Sequence, residues 1–251
     1  MKIIISKNNM NINIKQNKKP SLCMPSFNVD NKLNKNLNEY EITKLMNKSN
    51  FTLFLGRAGS GKTSLMTSFL KTKQLFKKVY HTIFLFMPSN SRSSLKDNFF
   101  DKNISEEQIF DDVNHEDLLN VYETAKSNAL ENCNTLIIFD DVQKYFKESE
   151  IQKLLLHMIN NRRHARLSIW LCCQNYYQIP KQIRAGLTDL FIFKVNKSEL
   201  ENIFLDQVEQ YKDDFMKIMK MVYNEPHNFL YINTNSQRMF FNWNEILIND
   251  F

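Results

Sequence analysis

Residues 51–63 constrain this chain more than any other stretch. The apolar run Phe51–Leu55 reads as a buried strand. Directly after it comes Gly56-Arg57-Ala58-Gly59-Ser60-Gly61-Lys62-Thr63, a complete G-x-x-x-x-G-K-[ST] pattern. Leu65, Met66, Phe69 and Leu70 then recur at helical spacing. The chain has four glycines in 251 residues, and three of them fall inside this loop, so a chance turn is a poor explanation. Glycine lets backbone N–H groups converge on an anion with no Cβ in the way. The helix that follows adds the partial positive charge of its N-terminus. The pattern predicts a phosphate-binding loop for ATP and Mg²⁺. In it Lys62 reaches the β- and γ-phosphates, the Thr63 hydroxyl meets the metal, and Ser64 closes the cradle. Arg57, Ala58 and Ser60 fill the unspecified positions; Arg57 either touches phosphate or is solvated.

The length suits one α/β domain with an ample core. Its formal charge of +6 is unevenly placed. Residues 1–38 carry seven lysines, no arginine and one acid, Asp30, so the rest of the chain is neutral overall. Bulk charge therefore gives the folded part no nucleic-acid signature, and such contacts would need local patches. The segment 1–38 is rich in Asn and Lys and is expected to be a tail that is loose or becomes ordered only on assembly, preceding a domain at 39–251. The four cysteines (Cys23, Cys133, Cys172, Cys173) form no C-x-x-C pair and read as reduced, structural thiols. The five histidines have no metal-ligand spacing, and no apolar run approaches the ~18 residues of a membrane span.

Strands are expected at 51–55, 82–87, 135–139, 167–173 and 190–195. Helices are expected at about 106–130, 151–161 and 198–223, with a polar loop at 89–94. Two short strands, 229–232 and 239–241, suggest a C-terminal hairpin. Strands alternating with helices predict a mainly parallel sheet covered on both faces.

The strand at 135–139 runs into Asp140-Asp141. Asp140 is placed to hold Mg²⁺ through its water shell, and Asp141 to orient or deprotonate an attacking water. The strand at 167–173 ends at Gln174, whose amide can contact the γ-phosphate or that water. An extra acid with a polar sensor points to the RecA-like branch of P-loop proteins, which includes many ring-forming motors. No guanine-specifying N-K-x-D is present. Arg162-Arg163-His164-Ala165-Arg166 reads either as a solvated helix end, where cations suit the dipole, or as the source of an arginine donated to a neighbour's ATP; Arg184 is a second candidate.

Arg163-His164-Ala165-Arg166-Leu167-Ser168-Ile169, followed by Gln174-Asn175-Tyr176-Tyr177-Gln178-Ile179-Pro180-Lys181-Gln182-Ile183-Arg184, resembles the packaging ATPases of large double-stranded DNA viruses and virophages, within the FtsK–HerA superfamily. The family pattern is R-H-x-x-x-S-I, then Q-x-Y-x-x-I-P-x-x-I-R. Phe139-Asp140-Asp141-Val142 is similar to its acidic strand end, and Phe229-Leu230-Tyr231-Ile232 to its terminal strand. The likeness runs from about residue 51 to 241. Gly186 departs from the Asn often found there, and the N-terminal segment matches nothing in the pattern.

The resemblance implies an ATP-driven motor that moves viral DNA into a preformed capsid. It implies a ring, commonly a hexamer, a capsid vertex or portal protein as docking partner, and a place in the virion or the host cytoplasm. In a ring, few loops need face the DNA; Arg92 and Lys96 are candidates, although a polar loop after a strand explains them better. Two other readings share the loop. A nucleoside or nucleotide kinase would need an arginine-bearing lid over an acceptor pocket. An assembly subunit that binds ATP without turnover would have little reason to keep Lys62, Thr63, Asp140, Asp141 and Gln174 together.

Overall fold

The structure, a computed structural model, describes residues 10–15, 45–73, 75–95, 99–208 and 212–250. They build one ten-stranded sheet in the order β1-β10-β9-β8-β7-β2-β6-β5-β3-β4. The parallel part comprises β2 (Phe51–Leu55), β3 (Thr82–Phe86), β4 (Ile109–Phe110), β5 (Thr135–Asp140), β6 (Leu167–Cys173) and β7 (Asp189–Ile192). An antiparallel extension follows: β8 (Leu230–Asn233), β9 (Arg238–Phe241), β10 (Asn244–Asp250) and β1 (Met10–Lys15).

Strand periodicity sorts the apolar residues into two cores. Leu53, Leu55, Ile137, Phe139, Ile169 and Leu171 face one side. There they meet helices α4 (His115–Leu130), α5 (Ser149–Asn161), α7 (Lys197–Gln207) and α8 (Lys212–Val222). Phe54, Ile138, Trp170, Cys172 and Phe191 face the other side, against α1 (Lys62–Lys71). Phe69 of α1 stands edge-on to Trp170 and Phe191, with centroids 6.1 and 5.1 Å apart, which fixes the helix under the phosphate loop. Shorter helices are α2 (Ser89–Ser93), α3 (Phe99–Asn103) and α6 (Lys181–Arg184).

A buried polar knot sets where β2 begins. Ser168 Oγ donates to the Lys48 carbonyl at 2.7 Å and accepts from the Asn50 N–H at 3.2 Å. Asn50 Oδ1 accepts from Trp170 Nε1 and Thr52 Oγ1, both at 2.7 Å. The serine of the Ser168-Ile169 motif thus holds β2 in register with β6.

The parallel sheet and the β8–β9 hairpin agree with the sequence reading. Three elements differ. The stretch 106–130 is not one helix: Glu106–Gln108 is a 3-10 turn, Ile109–Phe110 pairs with β3, and α4 starts only after Asn114, whose side chain caps the Asp117 N–H at 2.9 Å. The span 198–223 contains two helices, α7 and α8. Residues 89–93 form a short helix instead of a loop.

Of the segment expected to be a loose tail, Met10–Lys15 lies in the sheet, its whole length paired antiparallel to β10. Deleting residues 1–38 would strip β1 and bare the β10 backbone as a sheet edge. The expected result is a lowered Tm and self-association, with phosphate-loop nucleotide binding kept; thermal unfolding, sedimentation and nucleotide titration check the three parts.

Candidate functional site

The site lies at the carboxyl ends of β2, β5 and β6, where open parallel sheets place their ligands. β2 leads directly into the loop. The Gly56 N–H bonds the Cys173 carbonyl at 3.2 Å, continuing the β2–β6 ladder one residue past the strand. A Cβ on Gly56 would come within 2.6 Å of Ser60 Oγ and 2.7 Å of Phe193 Cβ, so only glycine fits. Gly61, at φ 105°, is the N-cap of α1, a left-handed conformation costly to other residues. No side chain caps α1, so its first N–H groups stay open toward the loop.

Lys62 is buried, and its Nζ donates to the carbonyls of Gly56 at 2.8 Å and Arg57 at 3.0 Å. The ammonium therefore spans the two sides of the loop. Thr63 Oγ1 donates to Asp140 Oδ2 at 3.3 Å. Asp140 ends β5 opposite Cys172 of β6 and is 4% exposed. Its carboxyl is pushed up to about 6, first by burial and then by the Asp141 carboxylate, with Cys172, Lys62 and Thr63 opposing.

The next residue breaks the strand. The Asp141 N–H still bonds the Cys172 carbonyl at 3.0 Å, but at φ 56° the chain turns left-handed. Aspartate tolerates that region better than most residues. The turn carries the Asp141 carboxylate to Gln174, whose Nε2 lies 3.3 and 3.5 Å from its two oxygens. Two adjacent acids thus have different settings: Asp140 buried beside Thr63, and Asp141 part-exposed against the exposed Gln174 amide.

The arrangement fits a hard cation brought in with phosphates. Thr63 and Asp140 offer oxygen donors on one side of the loop, and a buried carboxylate raised by a second one gains from a divalent ion. Among the described residues no cluster of three or more acids, histidines or cysteines forms a free-standing metal site. The pH dependence follows. Below pH 6 the Asp140 carboxyl holds a proton that Mg²⁺ must displace. Mg²⁺-dependent nucleotide affinity should therefore fall as pH drops through about 6, approaching about tenfold per unit. Calorimetric titrations between about pH 5 and pH 8 would show this for the wild type, and a shallower profile, left to the nucleotide's own terminal phosphate, for Asp140→Asn.

The arginines separate. Arg162 bonds the carbonyls of Ser49 (3.1 Å) and Ile159 (2.7 Å), and Arg166 bonds the Asn132 carbonyl at 2.9 Å. Arg163 is exposed, and its side chain makes no hydrogen bond or ion pair among the described residues. It precedes β6, at the end of the sheet opposite its own phosphate loop. Arg184 is buried, 3.1 Å from Asp206 and 4.5 Å over the Tyr176 ring, so its charge is engaged within the subunit. Arg57 donates to Asn196 Oδ1, and Arg92 lies within 4 Å of Asp101 and Asp111. Lys96 is outside the described residues. Cys172 and Cys173 are buried free thiols pushed up by burial, as structural cysteines are; Cys23 is outside the described residues.

Sequence reasoning placed a helix over α7 but missed its part in the site. Glu199 accepts the Tyr176 N–H at 2.8 Å, and Gln207 donates to the Tyr176 hydroxyl at 2.9 Å and the Arg184 carbonyl at 3.1 Å. With Asp206 on Arg184, this helix holds the segment that follows Gln174. The available signal was a buried helical face, Glu199-Ile203-Gln207, with polar residues where apolar ones are expected.

The fold and site define a class: a P-loop NTPase with a parallel sheet, an added acid after β5 and a glutamine after β6. The family model described as Poxvirus A32 protein matches residues 37–245, and the chain belongs to that family. The DNA packaging protein OPG160 of Vaccinia virus (strain Copenhagen) is 30% identical over 176 residues, covering 66% of this chain and 62% of its own. Its Variola virus counterpart is 28% identical over 172 residues, with the same coverage. The chain thus spans about 62% of the length of these curated relatives. Among solved structures, the DNA-packaging ATPase B204 from Sulfolobus Turreted Icosahedral Virus superposes with a TM-score of 0.59 at 18% identity, over 78% of this chain and 98% of that one. The genome packaging NTPase B204 from Sulfolobus turreted icosahedral virus 2, in complex with AMP, gives a TM-score of 0.57 at 18% identity and the same coverage. At that identity the likeness is one of fold. No helix among the described residues is long and apolar enough to cross a membrane.

Proposed function

We propose that this protein is an ATP-hydrolysing motor that translocates double-stranded DNA into a preformed viral capsid. The observation that carries the reading is the pair Asp141–Gln174, set beside the phosphate loop and apart from Asp140. The relatives called DNA packaging proteins support the biological role.

In this mechanism the N–H groups of the loop and of the α1 N-terminus bind the phosphates. Lys62 exchanges its two carbonyl acceptors for β- and γ-phosphate oxygens, where charge–charge hydrogen bonds are stronger. Thr63 and Asp140 are the residues that would hold Mg²⁺, which when bound neutralises charge across the β- and γ-oxygens. Asp141 accepts a proton from the attacking water or orients it, and Gln174 fixes the carboxylate while its amide senses the γ-phosphate. α7 anchors the sensor segment through Glu199, so a shift at Gln174 is transmitted to the segment ending at Arg184.

The motor works as a homo-oligomeric ring in the viral factory or virion, docked on a capsid vertex or portal. The kinase alternative loses support: of the arginines a lid would use, Arg166 and Arg184 are held by the Asn132 carbonyl and Asp206, and Arg163 lies at the end of the sheet opposite the phosphate loop. The deciding experiment is ATPase rate with and without double-stranded DNA, on material of measured oligomeric state. Stimulation by DNA without a small-molecule acceptor is expected; phosphoryl transfer to a nucleoside would overturn the reading.

A further inference from the structure

The strands β2 to β7 run one way, so this part of the molecule has two edges, and they differ in charge. At the amino edge, the loops that lead into β3, β5 and β6 are tied together. Arg166 donates to the Asn132 carbonyl at 2.9 Å, and Asn134 Nδ2 to the Val79 carbonyl at 3.0 Å. The surface they form is basic. Lys73, Lys77 and Lys78 stand before β3 and Arg163 before β6, all exposed. Among the described residues of these loops, 72–81, 131–134 and 162–166, Glu131 is the only acid. The side chains of Lys73, Lys77 and Lys78 make no hydrogen bond or ion pair among the described residues. Lys78 is held at φ 64°, a left-handed conformation that is costly for lysine.

The carboxyl edge is acidic beside the same strands. A cavity of about 470 Å³ next to β4 is lined by Glu106, Asp111, Asp112 and Asp117, against one cation, Arg92. Four carboxylates outnumber the one guanidinium, which lies 3.8 Å from Asp111. Among the described residues no three acids, histidines or cysteines converge as a metal site. The surplus charge is spread along a wall and suits several cations carried on a second surface.

Sheet order relates the two edges. β6 lies between β2 and β5, and β3 between β5 and β4. Consider a second copy stacked with its amino edge on this carboxyl edge. The start of its β6, with Arg163, meets the ends of β2 and β5, where the phosphate loop and Asp140 lie. The start of its β3, with the three lysines, meets the ends of β3 and β4, where Asp111 and Asp112 follow. One placement satisfies both contacts. We propose that the lysine turn before β3 docks on the acidic wall beside β4 of the adjacent copy and sets the head-to-tail contact of the ring. Such a contact is heterologous, the type that closes into rings. It is a rim contact, because lysine is depleted from interface cores; it orients the copies and weakens with salt. The inference rests on the ring proposed above and adds residues outside every motif.

Charge reversal tests it. Lys77→Glu/Lys78→Glu reverses one face; Glu106→Lys/Asp112→Lys reverses the other and spares Asp111, which pairs with Arg92. Each double variant alone sets like charge against like. Each should need about a hundredfold more protein than wild type to assemble at low salt. Mixed one to one, they restore complementarity at every contact of an alternating ring and should assemble near the wild-type concentration. Sedimentation reads the assembly, and ATP titration, expected unchanged, shows that each variant is folded. Lys77→Gln/Lys78→Gln removes the charge without reversing it and should weaken assembly about tenfold. Assembly of these variants at the wild-type concentration, or failure of the folded pair to assemble on mixing, overturns the proposal and leaves the ring standing. So does a lysine variant that assembles normally and loses only salt-sensitive duplex DNA binding, since the amino edge would then face DNA. Wild type that stays monomeric with ATP at low salt would instead sink the ring, and this contact with it.

Discussion

Asp141→Asn is expected to bind Mg·ATP about as well as wild type and to hydrolyse it about 10²–10⁴ times more slowly, the usual contribution of a positioned base. The division of labour between the two acids motivates this. Asp140 is buried beside Thr63, where a hard cation would sit. Asp141 has left the strand through a left-handed turn and faces the Gln174 amide. An amide at 141 keeps the turn, since asparagine also tolerates that conformation, and removes the proton acceptor. Asp140→Asn should act on binding instead, weakening the Mg²⁺-dependent part of nucleotide affinity. Titrations with and without Mg²⁺, alongside single-turnover hydrolysis, separate the two variants. Identical behaviour would refute separate roles.

Much of this site was legible because its parts end apolar strands. Leu55, Phe139 and Cys173 each close a buried run, and the residues that follow are necessarily at the carboxyl edge of a parallel sheet. Local pattern alone therefore groups Lys62, Thr63, Asp140, Asp141 and Gln174 at one edge of the sheet. The missed parts have no such local signal. β4 is two residues long and exists through pairing with Leu85 and Phe86, too short to show a period. Glu199, Asp206 and Gln207 act on a segment 22 to 31 residues earlier, and helical spacing alone gives no target. His227 meets Ser60 across 167 positions. β1 is different, because Asn11-Ile12-Asn13-Ile14 does alternate with the period of a strand. The Asn and Lys bias of residues 1–38 outweighed that pattern, and the partner that makes it a strand, β10, lies at the other end of the chain.

Arg163→Ala should reduce hydrolysis about 10³–10⁵-fold in the assembled ring while leaving ATP binding to the monomer intact, the range of a lost arginine finger. Arg163 cannot serve its own subunit's nucleotide. It precedes β6, and the phosphate loop follows β2, which is parallel to β6, so the length of β6 separates them; seven extended residues span roughly 23 Å. Unlike those of Arg162 and Arg166, its side chain is exposed and unbonded among the described residues, available to a neighbour at the sheet's far end. Arg184, the other candidate, would have to leave Asp206 and the Tyr176 ring to act in trans. Subunit mixing tests this directly. Arg163→Ala and Lys62→Ala should each be inactive alone. In mixed rings some interfaces pair an intact Lys62 with an intact Arg163 from the adjacent copy, and those interfaces should hydrolyse ATP. Recovery that grows with the fraction of such interfaces establishes a shared site. No recovery, in rings shown to contain both subunits, would mean that Arg163 does not act across the interface, and the same mixing with Arg184→Ala would then decide for the second arginine.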